Sequence, residues 1–289
     1  NSALYANTTG AYNTAVGSNA LDANTTGDRN NSFGYFSLTN NTTGSNNSAF
    51  GHAALTENTT GVANVAIGFE ALEKNTTGDY NVAVGRSALD ANTTANDNTA
   101  VGHESLKTNT TGGSNTAVGK YALRLNTTGT LNTALGRGSL ENNTTASNNT
   151  AVGRSALSAN TTGTQNTALG TQALDANTTG QNNVAIGYQA LDANTTGNHS
   201  VAIGKGALTA ATTASNNNAI GINSMLTVST GAENVALGSN TLRGTEVTGN
   251  PWGMKTNLSF TASGDVNGMT VSYMQTSKDQ FAGMSSARL

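Results

Sequence analysis

Hydrophobic and polar residues recur along this chain with a strict period of 17. Numbering each unit from its N-T-T-G tetrapeptide, the consensus is N-T-T-G-x-x-N-[TV]-A-h-G-x-x-A-L-x-x, where h is aliphatic or Phe. Self-similarity at a fixed period is typical of stacked repeat architectures. The fourteen units follow without insertion or deletion and begin at Asn7, Asn24, Asn41, Asn58, Asn75, Asn92, Asn109, Asn126, Asn143, Asn160, Asn177, Asn194, Ala211 and Val228.

The pattern within one unit predicts strands. A 17-residue unit is too short for a helix-turn-helix repeat, and N-[TV]-A-h-G alternates as a strand does. We expect two short strands per unit, at about positions 6 to 10 and 13 to 16. Gly at position 11 and the N-T-T-G segment make the reversals, with Gly or Asn taking any left-handed backbone geometry. The predicted fold class is an all-β parallel β-solenoid, or β-roll.

Alternation along the first strand assigns its side chains to two faces. Positions 8 and 10, for example Val65 and Ile67, are expected to line the interior with the leucines of position 15, Leu21 through Leu242. Ala at position 9, present in thirteen of fourteen units, would then form an outward stripe. A stripe of small residues suggests that a second chain packs closely along the rod. The alternative is that Ala fits a narrow roll.

Stacked units predict a rod held together by ladders. Neighbouring strands of any sheet lie about 4.8 Å apart, so fourteen turns span roughly 65 Å. The aligned Asn and Thr side chains at positions 1, 3 and 7 are expected to hydrogen bond along that rod.

The repeat ends near residue 244, which predicts a division into a solenoid, 1–244, and a C-terminal β cap or transition segment, 245–289. This second part holds the only proline, Pro251, and the segments T-N-L-S-F-T-A and G-M-T-V-S-Y-M-Q, which alternate like antiparallel strands. The chain begins in the middle of a unit, and we expect residues 1–289 to be a segment of a longer polypeptide.

Composition narrows the chemistry. Only 10% of the 289 residues are charged, the net charge is −3 and cysteine is absent, so generic nucleic-acid binding, disulfides and thiolate zinc sites are not expected. No stretch approaches the roughly 20 apolar residues of a membrane-spanning helix. The three histidines, His52, His103 and His199, are expected to be solvated surface groups. We expect no enzyme activity, metal or cofactor.

Charged residues fall in columns along the rod. Acidic side chains prefer position 16 and basic ones position 12, and pairing between the two columns, within or between chains, would relieve the repulsion in each. The alternative is a receptor- or glycan-binding face. The candidate binding residues are Arg86, Lys120, Arg137, Arg154 and Lys205, together with Trp252 and Tyr273 of the C-terminal segment.

Two further motifs carry little chemistry. Gly-x-Gly occurs at Gly136 and Gly138 and at Gly204 and Gly206, without the third glycine of a dinucleotide fingerprint. Twelve N-T-T triplets satisfy the N-glycosylation sequon, although the repeat already explains them as turns, so glycosylation depends on the host.

Five units read N-V-A-[VIL]-G or S-V-A-I-G, at 64–68, 81–85, 183–187, 200–204 and 234–238. This motif resembles the strand motif of trimeric autotransporter adhesin heads, which are left-handed parallel β-rolls. The longer string N-T-A-V-G-x-x-A-L-x-x-N-T-T-G also resembles repeats of bacterial and phage tail-fibre-like proteins. The resemblance covers residues 1 to about 244, whose 17-residue unit is longer than the usual adhesin repeat. It implies a homotrimer outside the cell, at a cell surface or on a virion.

The resulting hypothesis is a structural and adhesive fibre segment that extends from a surface and attaches to a host or substratum. Attachment would use the variable positions 5, 6, 12, 13, 16 and 17 or the C-terminal segment, with a cell-surface or glycan receptor as partner. Alternatives are a subunit of a polymerising surface filament, an ice-binding solenoid with a flat Thr array, and a carbohydrate-degrading β-helix enzyme.

Overall fold

The computed structural model describes residues 2–242 and 258–260, and it confirms the parallel β-solenoid with its 17-residue repeat. Each unit contributes one three-residue strand at positions 8 to 10, and each strand pairs in parallel with the next one along the chain. The fourteen strands of the repeat are β1 (Thr14–Val16), β2 (Asn31–Phe33), β3 (Ser48–Phe50), β4 (Val65–Ile67), β5 (Val82–Val84), β6 (Thr99–Val101), β7 (Thr116–Val118), β8 (Thr133–Leu135), β9 (Thr150–Val152), β10 (Thr167–Leu169), β11 (Val184–Ile186), β12 (Val201–Ile203), β13 (Asn218–Ile220) and β14 (Val235–Leu237).

The second strand expected at positions 13 to 16 is replaced by turns. Positions 13 and 15 are left-handed in every unit, as at Asn19 and Leu21, with φ of 60° and 54°, and such residues interrupt the extended backbone of a strand. Turn-to-turn hydrogen bonds continue nonetheless, because Leu21 N donates to Ser37 O at 3.0 Å. The unit is therefore bonded to its neighbour on both sides of the roll although only one side is regular sheet.

The interior was assigned to the wrong face of the strand. Ala at position 9 is the inward residue: Ala66 is fully buried, whereas Ile67 at position 10 is 41% exposed. The core of one turn consists of Ala at 9, Ala or Ser at 14, Leu at 15 and the two asparagines at 1 and 7. Opposite walls lie too close to admit a larger side chain, which is why position 9 is so uniform.

This burial also overturns chain-to-chain packing along the alanine stripe. The alanines from Ala49 to Ala219 at position 9 are wholly covered by their own chain, so no second chain touches them. The alternative, that Ala fits a narrow roll, is what the structure shows. The prediction that Leu at position 15 is core is confirmed from Leu21 to Leu208.

The prediction that glycine takes left-handed backbone at position 11 is confirmed, with φ between 116° and 146°, but left-handed backbone also occurs at three further positions that the sequence did not predict. Positions 6, 13 and 15 have φ between 49° and 65° in all fourteen units. Val, Ile and Thr are absent from all three positions, since β-branched residues are genuine outliers at positive φ. The second glycine of each Gly-x-Gly pair, Gly138 and Gly206, occupies position 13.

Glycine at position 11 is required by its surroundings. Gly153 has φ of 131°, and a Cβ built there would lie 2.6 Å from the carbonyl carbon of Gly170 in the next turn. Strand and turn therefore meet at a point where only glycine can approach its neighbour.

Two asparagine columns run through the core. At position 1, Asn24 Nδ2 donates to Asn7 Oδ1 of the preceding turn (2.7 Å) and to Gly27 O of its own turn (3.0 Å). At position 7, Asn47 N donates to Asn30 Oδ1 (3.0 Å), while Asn30 Nδ2 donates to Gly44 O (2.8 Å). The expected asparagine ladders are confirmed, and burying these amides is tolerable because they are hydrogen bonded.

The threonine ladder forms at position 2 instead of position 3. Thr25 Oγ1 donates to Thr42 O of the next turn at 3.0 Å, and the same bond recurs up to Thr195. The hydroxyls of position 3 make no hydrogen bond within the described turns.

The position 1 ladder ends where the repeat degenerates. Ala211 occupies position 1 of the thirteenth unit and carries no amide, so Asn194 Oδ1 is buried without a hydrogen-bond partner. One orphaned acceptor thus marks the end of the column.

Only three residues of the C-terminal segment are described. Leu258–Phe260, β15, lies within the T-N-L-S-F-T-A string and pairs in parallel with β14, so the antiparallel arrangement expected for this string does not describe that pairing. The other residues of the predicted cap lie outside the described part of the chain.

The ladder predicts unequal costs for two matched substitutions. Asn160→Ala would orphan Asn143 Oδ1 as a second buried acceptor, whereas Asn194→Ala transfers the existing orphan to Asn177. We expect Asn160→Ala to lower the free energy of unfolding by about 1–3 kcal/mol more than Asn194→Ala, as measured by denaturant titration. Equal losses would contradict a continuous ladder.

The left-handed leucines predict that side-chain branching matters more than volume. Leu157 is buried at φ of 52°. Leu157→Met, which copies Met225, should cost less than about 1.5 kcal/mol, and Leu157→Ile should cost roughly 1–2 kcal/mol more because branching at Cβ is disfavoured at positive φ. Thermal and denaturant unfolding of the pair would measure this, and an isoleucine variant as stable as the methionine one would refute it.

Candidate functional site

The outer face of the sheet carries an apolar strip as long as the solenoid. Position 10 is apolar in all fourteen units, from Val16 to Leu237, and none of these side chains is buried. Phe33 and Phe50 stack in adjacent turns with centroids 4.9 Å apart. Position 8 flanks them with Val or Thr in most units. We call positions 8 and 10 together the outer strip.

An uncovered face of this kind is unusual for a parallel sheet. Parallel sheets are almost always covered on both faces, and here the core covers only the inner one. Scattered apolar residues on a surface need no explanation, but a contiguous apolar stripe marks an interaction site. The prediction that positions 8 and 10 line the interior is wrong, and the outer strip is the most extensive candidate surface.

A second uniform surface is a threonine column. Thr occupies position 3 in all fourteen units and is exposed in each, from Thr9 to Thr230. The hydroxyls of the neighbouring threonines at position 2 donate hydrogen bonds to backbone carbonyls of the next turn. Exposed, unbonded hydroxyls therefore form a single file and not a two-dimensional array.

The predicted binding residues of position 12 lie together on one corner of the roll. Arg86, Lys120, Arg137, Arg154 and Lys205 are all exposed, and the first four fall within five successive turns. Aromatic residues continue the same column toward the N-terminus: His52 stacks on Phe69 at 5.0 Å and makes a tilted ring contact with Tyr35 at 5.5 Å. Trp252 and Tyr273 lie outside the described residues.

The expected pairing of position 12 cations with position 16 acids does not form within this chain. Among the described residues, the ion pairs join Lys74 to Asp90, Lys107 and Arg124 to Glu104, and Arg124 to Glu141. Their cations come from positions 16 and 17. The five position 12 cations are exposed, and none of them makes an ion pair in the described turns.

Partial burial raises the pKa of two carboxyl groups at position 16. Desolvation raises the pKa of Asp192, and the charge of Asp175 one turn away raises it further. Desolvation also raises the pKa of Asp175, against the opposing charge of Arg154. Glu104 differs: burial raises its pKa, but the hydrogen bond and charge of Lys107 and the charge of Arg124 bring it below the usual value.

The described residues form neither a metal-binding cluster nor an accessible glycosylation site at the position 1 asparagines that are buried. His52 and His199 are exposed, His103 is partly buried against Tyr121, and no group of three His, Asp or Glu side chains comes together to hold a metal. The sequon asparagines of position 1 are fully buried from Asn24 to Asn194, with their amides hydrogen bonded, so the folded solenoid presents no acceptor there.

Within the described residues there is no helix of the length and apolarity needed to cross a membrane. Comparisons with known protein families, curated proteins and solved structures find no match to this chain.

Two substitutions on the acidic side should shift stability in opposite directions with pH. A raised carboxyl pKa means that ionisation of Asp192 lowers the free energy of unfolding. Asp192→Asn should therefore be more stable than wild type at pH 7, by about 0.2–1 kcal/mol on the scale of like-charge pairs. That gain should vanish as the pH falls and the wild-type carboxyl becomes protonated.

Glu104→Gln is the matched control, since a lowered pKa stabilises the fold only while the carboxylate is ionised. It should be less stable than wild type at pH 7, and the deficit should disappear as the pH falls through the lowered pKa of Glu104. Melting temperatures between pH 3 and pH 8 would measure both trends. Parallel pH dependence of the two variants would contradict the assignments.

Proposed function

We propose that this chain is a structural and adhesive segment of an extracellular fibre, assembled as a homotrimer through its outer strip. The observation that carries the proposal is the unbroken run of apolar side chains at position 10, which are exposed or half-buried in all fourteen turns. A lone rod would leave this face in water over roughly 60 Å.

The occupant best matched to the strip is a second copy of the chain. Apolar side chains follow one another along it at the spacing of the solenoid turns, about 4.8 Å. Another solenoid of the same repeat presents side chains at that spacing and can interdigitate with every turn. A globular partner would match the strip over a few turns only.

Assembly would also stabilise a single roll whose hydrophobic core is small. Its core holds one Leu and two small residues per turn beside two asparagines, and chains with small cores are commonly stabilised by oligomerisation. Three copies, as the resemblance to adhesin heads implies, would enclose their outer strips around a common axis. The remaining walls, including the position 12 column, would stay accessible for attachment.

The single file of threonine hydroxyls supports this proposal over ice binding, which requires ordered ranks of threonine.

Charge placed in the outer strip should dissociate the fibre segment. We expect native wild type to have about three times the 29.1 kDa chain mass by light scattering coupled to size exclusion. The double variant Ile67→Lys and Leu169→Lys should elute near the chain mass, because unpaired buried charges are strongly disfavoured.

The matched control is Thr60→Lys with Thr162→Lys, which adds the same charge to the same two units on the exposed threonine column. It should keep the wild-type mass. A monomeric wild type would overturn assembly altogether, a dimer would overturn three-fold closure, and equal dissociation of both variants would remove the outer strip as the interface.

A further inference from the structure

We propose that the corner of the solenoid between Arg86 and Arg154 binds an acidic polysaccharide laid along the rod. This inference deepens the attachment part of the proposed function and rests on it. We call this surface the basic corner and define it by Arg86, Lys120, Arg137 and Arg154 at position 12 and Lys107 and Arg124 at position 16.

Positive charge is concentrated at this corner. Six of the nine Lys and Arg side chains within residues 2–242 lie between Arg86 and Arg154, and all six are on the wall formed by positions 12 to 16. The acids of the same stretch of wall are Asp90, Glu104 and Glu141. The corner is therefore positive by three charges, in a chain whose net charge is −3.

The acids of the wall are already engaged. Glu104 forms ion pairs with Lys107 and Arg124, each at 3.1 Å. Glu141 pairs with Arg124 at 3.5 Å, and Asp90 pairs with Lys74 at 3.6 Å. Arg86, Lys120 and Arg137 are left without an ion pair within the described turns. The charge of Arg154 lowers the pKa of Asp175 in the next turn, but the two side chains do not come within ion-pair distance.

Aromatic rings hold several of these cations in place. The Lys120 ammonium lies 4.6 Å and the Arg124 guanidinium 4.9 Å from the centre of the Tyr121 ring, and Arg86 lies 5.9 Å from that of Phe69. Such contacts orient the cations. They also occupy the ring faces, as does the stacking of His52 on Phe69, so these rings do not offer a free face for stacking bases.

A second copy of the chain is poorly suited to neutralise this corner. In a parallel assembly in register, each turn meets the same turn of its neighbours. Unit 109–125 contains Lys120 and Arg124 and no acid, and unit 143–159 contains Arg154 and no acid. Copies at these levels would bring together cations alone, so the counter-charge is expected from another molecule.

The arrangement favours a linear polymer with anionic groups along its length. The position 12 cations stand in a straight file at about 4.8 Å per turn, which a flexible acidic glycan can follow over five turns. A nucleic acid duplex would wind away from the file, and single strands are held chiefly by stacking on free aromatic faces. Carboxylate groups of uronic acids and sulfate groups are the two anions that a polysaccharide can supply.

The test uses the full chain with three polymers: polygalacturonate for carboxylates, heparin for sulfates, and neutral dextran. We expect wild type to bind at least one acidic polymer and not dextran. Lys120→Gln, Arg137→Gln and Arg154→Gln combined should weaken that binding about tenfold or more, on the scale of exposed charge pairs. The slope of log K against log salt should fall by about two, because each neutralised anion contributes roughly 0.7–0.9 in nucleic acids.

The matched control triple is Arg29→Gln, Thr9→Glu and Thr213→Glu, which lowers the net charge by the same three units outside the basic corner. It should change affinity by less than about threefold, because its substitutions lie several turns away from the corner. Equal losses in both triples would reduce the binding to general electrostatics and overturn the site. So would absence of binding by wild type, or tighter binding of single-stranded DNA than of either acidic glycan.

The native mass of each variant keeps this proposal separate from the fibre assembly. The corner triple should retain the wild-type mass. If it dissociates, the corner is an interface between copies and the glycan site is refuted. If wild type is trimeric but binds neither acidic polymer, the glycan inference fails while the assembly stands.

Discussion

The turns of this solenoid depend on two columns of asparagines, at positions 1 and 7, that are buried in most units and bond to the turns above and below. An amide in a core is tolerated only when its donors and acceptors are paired, and here the partners are the equivalent asparagines one repeat away together with backbone carbonyls. Inserting or deleting a single residue would displace both columns at once and leave buried polar atoms unpaired on either side of the change. This explains why fourteen units keep a period of 17 without exception, when a purely apolar core would tolerate looser spacing. The ladder is thus a register device as much as a source of stability.

The narrow cross-section that brings the asparagines together also determines where the large apolar side chains go. Opposite walls of one turn meet across Ala at position 9 and Leu at position 15, and no room remains inside for the Val, Ile, Leu or Phe of position 10. These residues therefore lie outside, on a parallel sheet that needs a cover. The limited internal volume and the apolar outer strip are two consequences of the same constraint, seen on the two faces of one three-residue strand. Under our proposal, the hydrophobic core of the fibre lies between the chains as well as within them.

The sequence predicted the period, the parallel solenoid, the buried Leu of position 15 and both asparagine ladders, because each follows from what recurs and at what spacing. It did not predict which face of the strand is inside, since alternation separates two faces without ordering them by available volume. The variation at position 10, where Val, Phe, Ile and Leu all occur, against the uniform Ala of position 9 carried that information: a tight interior fixes size, and a surface does not. The left-handed turns were missed in the same way. Leu21 and its equivalents gave no hint individually, but the absence of Val, Ile and Thr from positions 6, 13 and 15 in a threonine-rich chain is a steric pattern. For the candidate site, the position 12 cations were found from sequence, whereas their lack of acidic partners required the actual course of the side chains.

The folding constraints leave few places where this chain can vary its chemistry. Asparagine, glycine, alanine and leucine are fixed by the ladder and the narrow roll, and the left-handed backbone of positions 6 and 13 excludes β-branched residues. Position 12, just past the obligatory glycine, carries no such restriction and points outward. Across the fourteen turns it is Ser, Tyr, His, Phe, Arg, Lys, Thr or Ile, so that its properties change along the rod while the scaffold stays constant. A ligand that binds a solenoid of this kind is therefore selected by the order of side chains along one column, at the spacing of the turns. That arrangement suits an extended polymer better than a compact molecule, since recognition then improves with each further turn in contact.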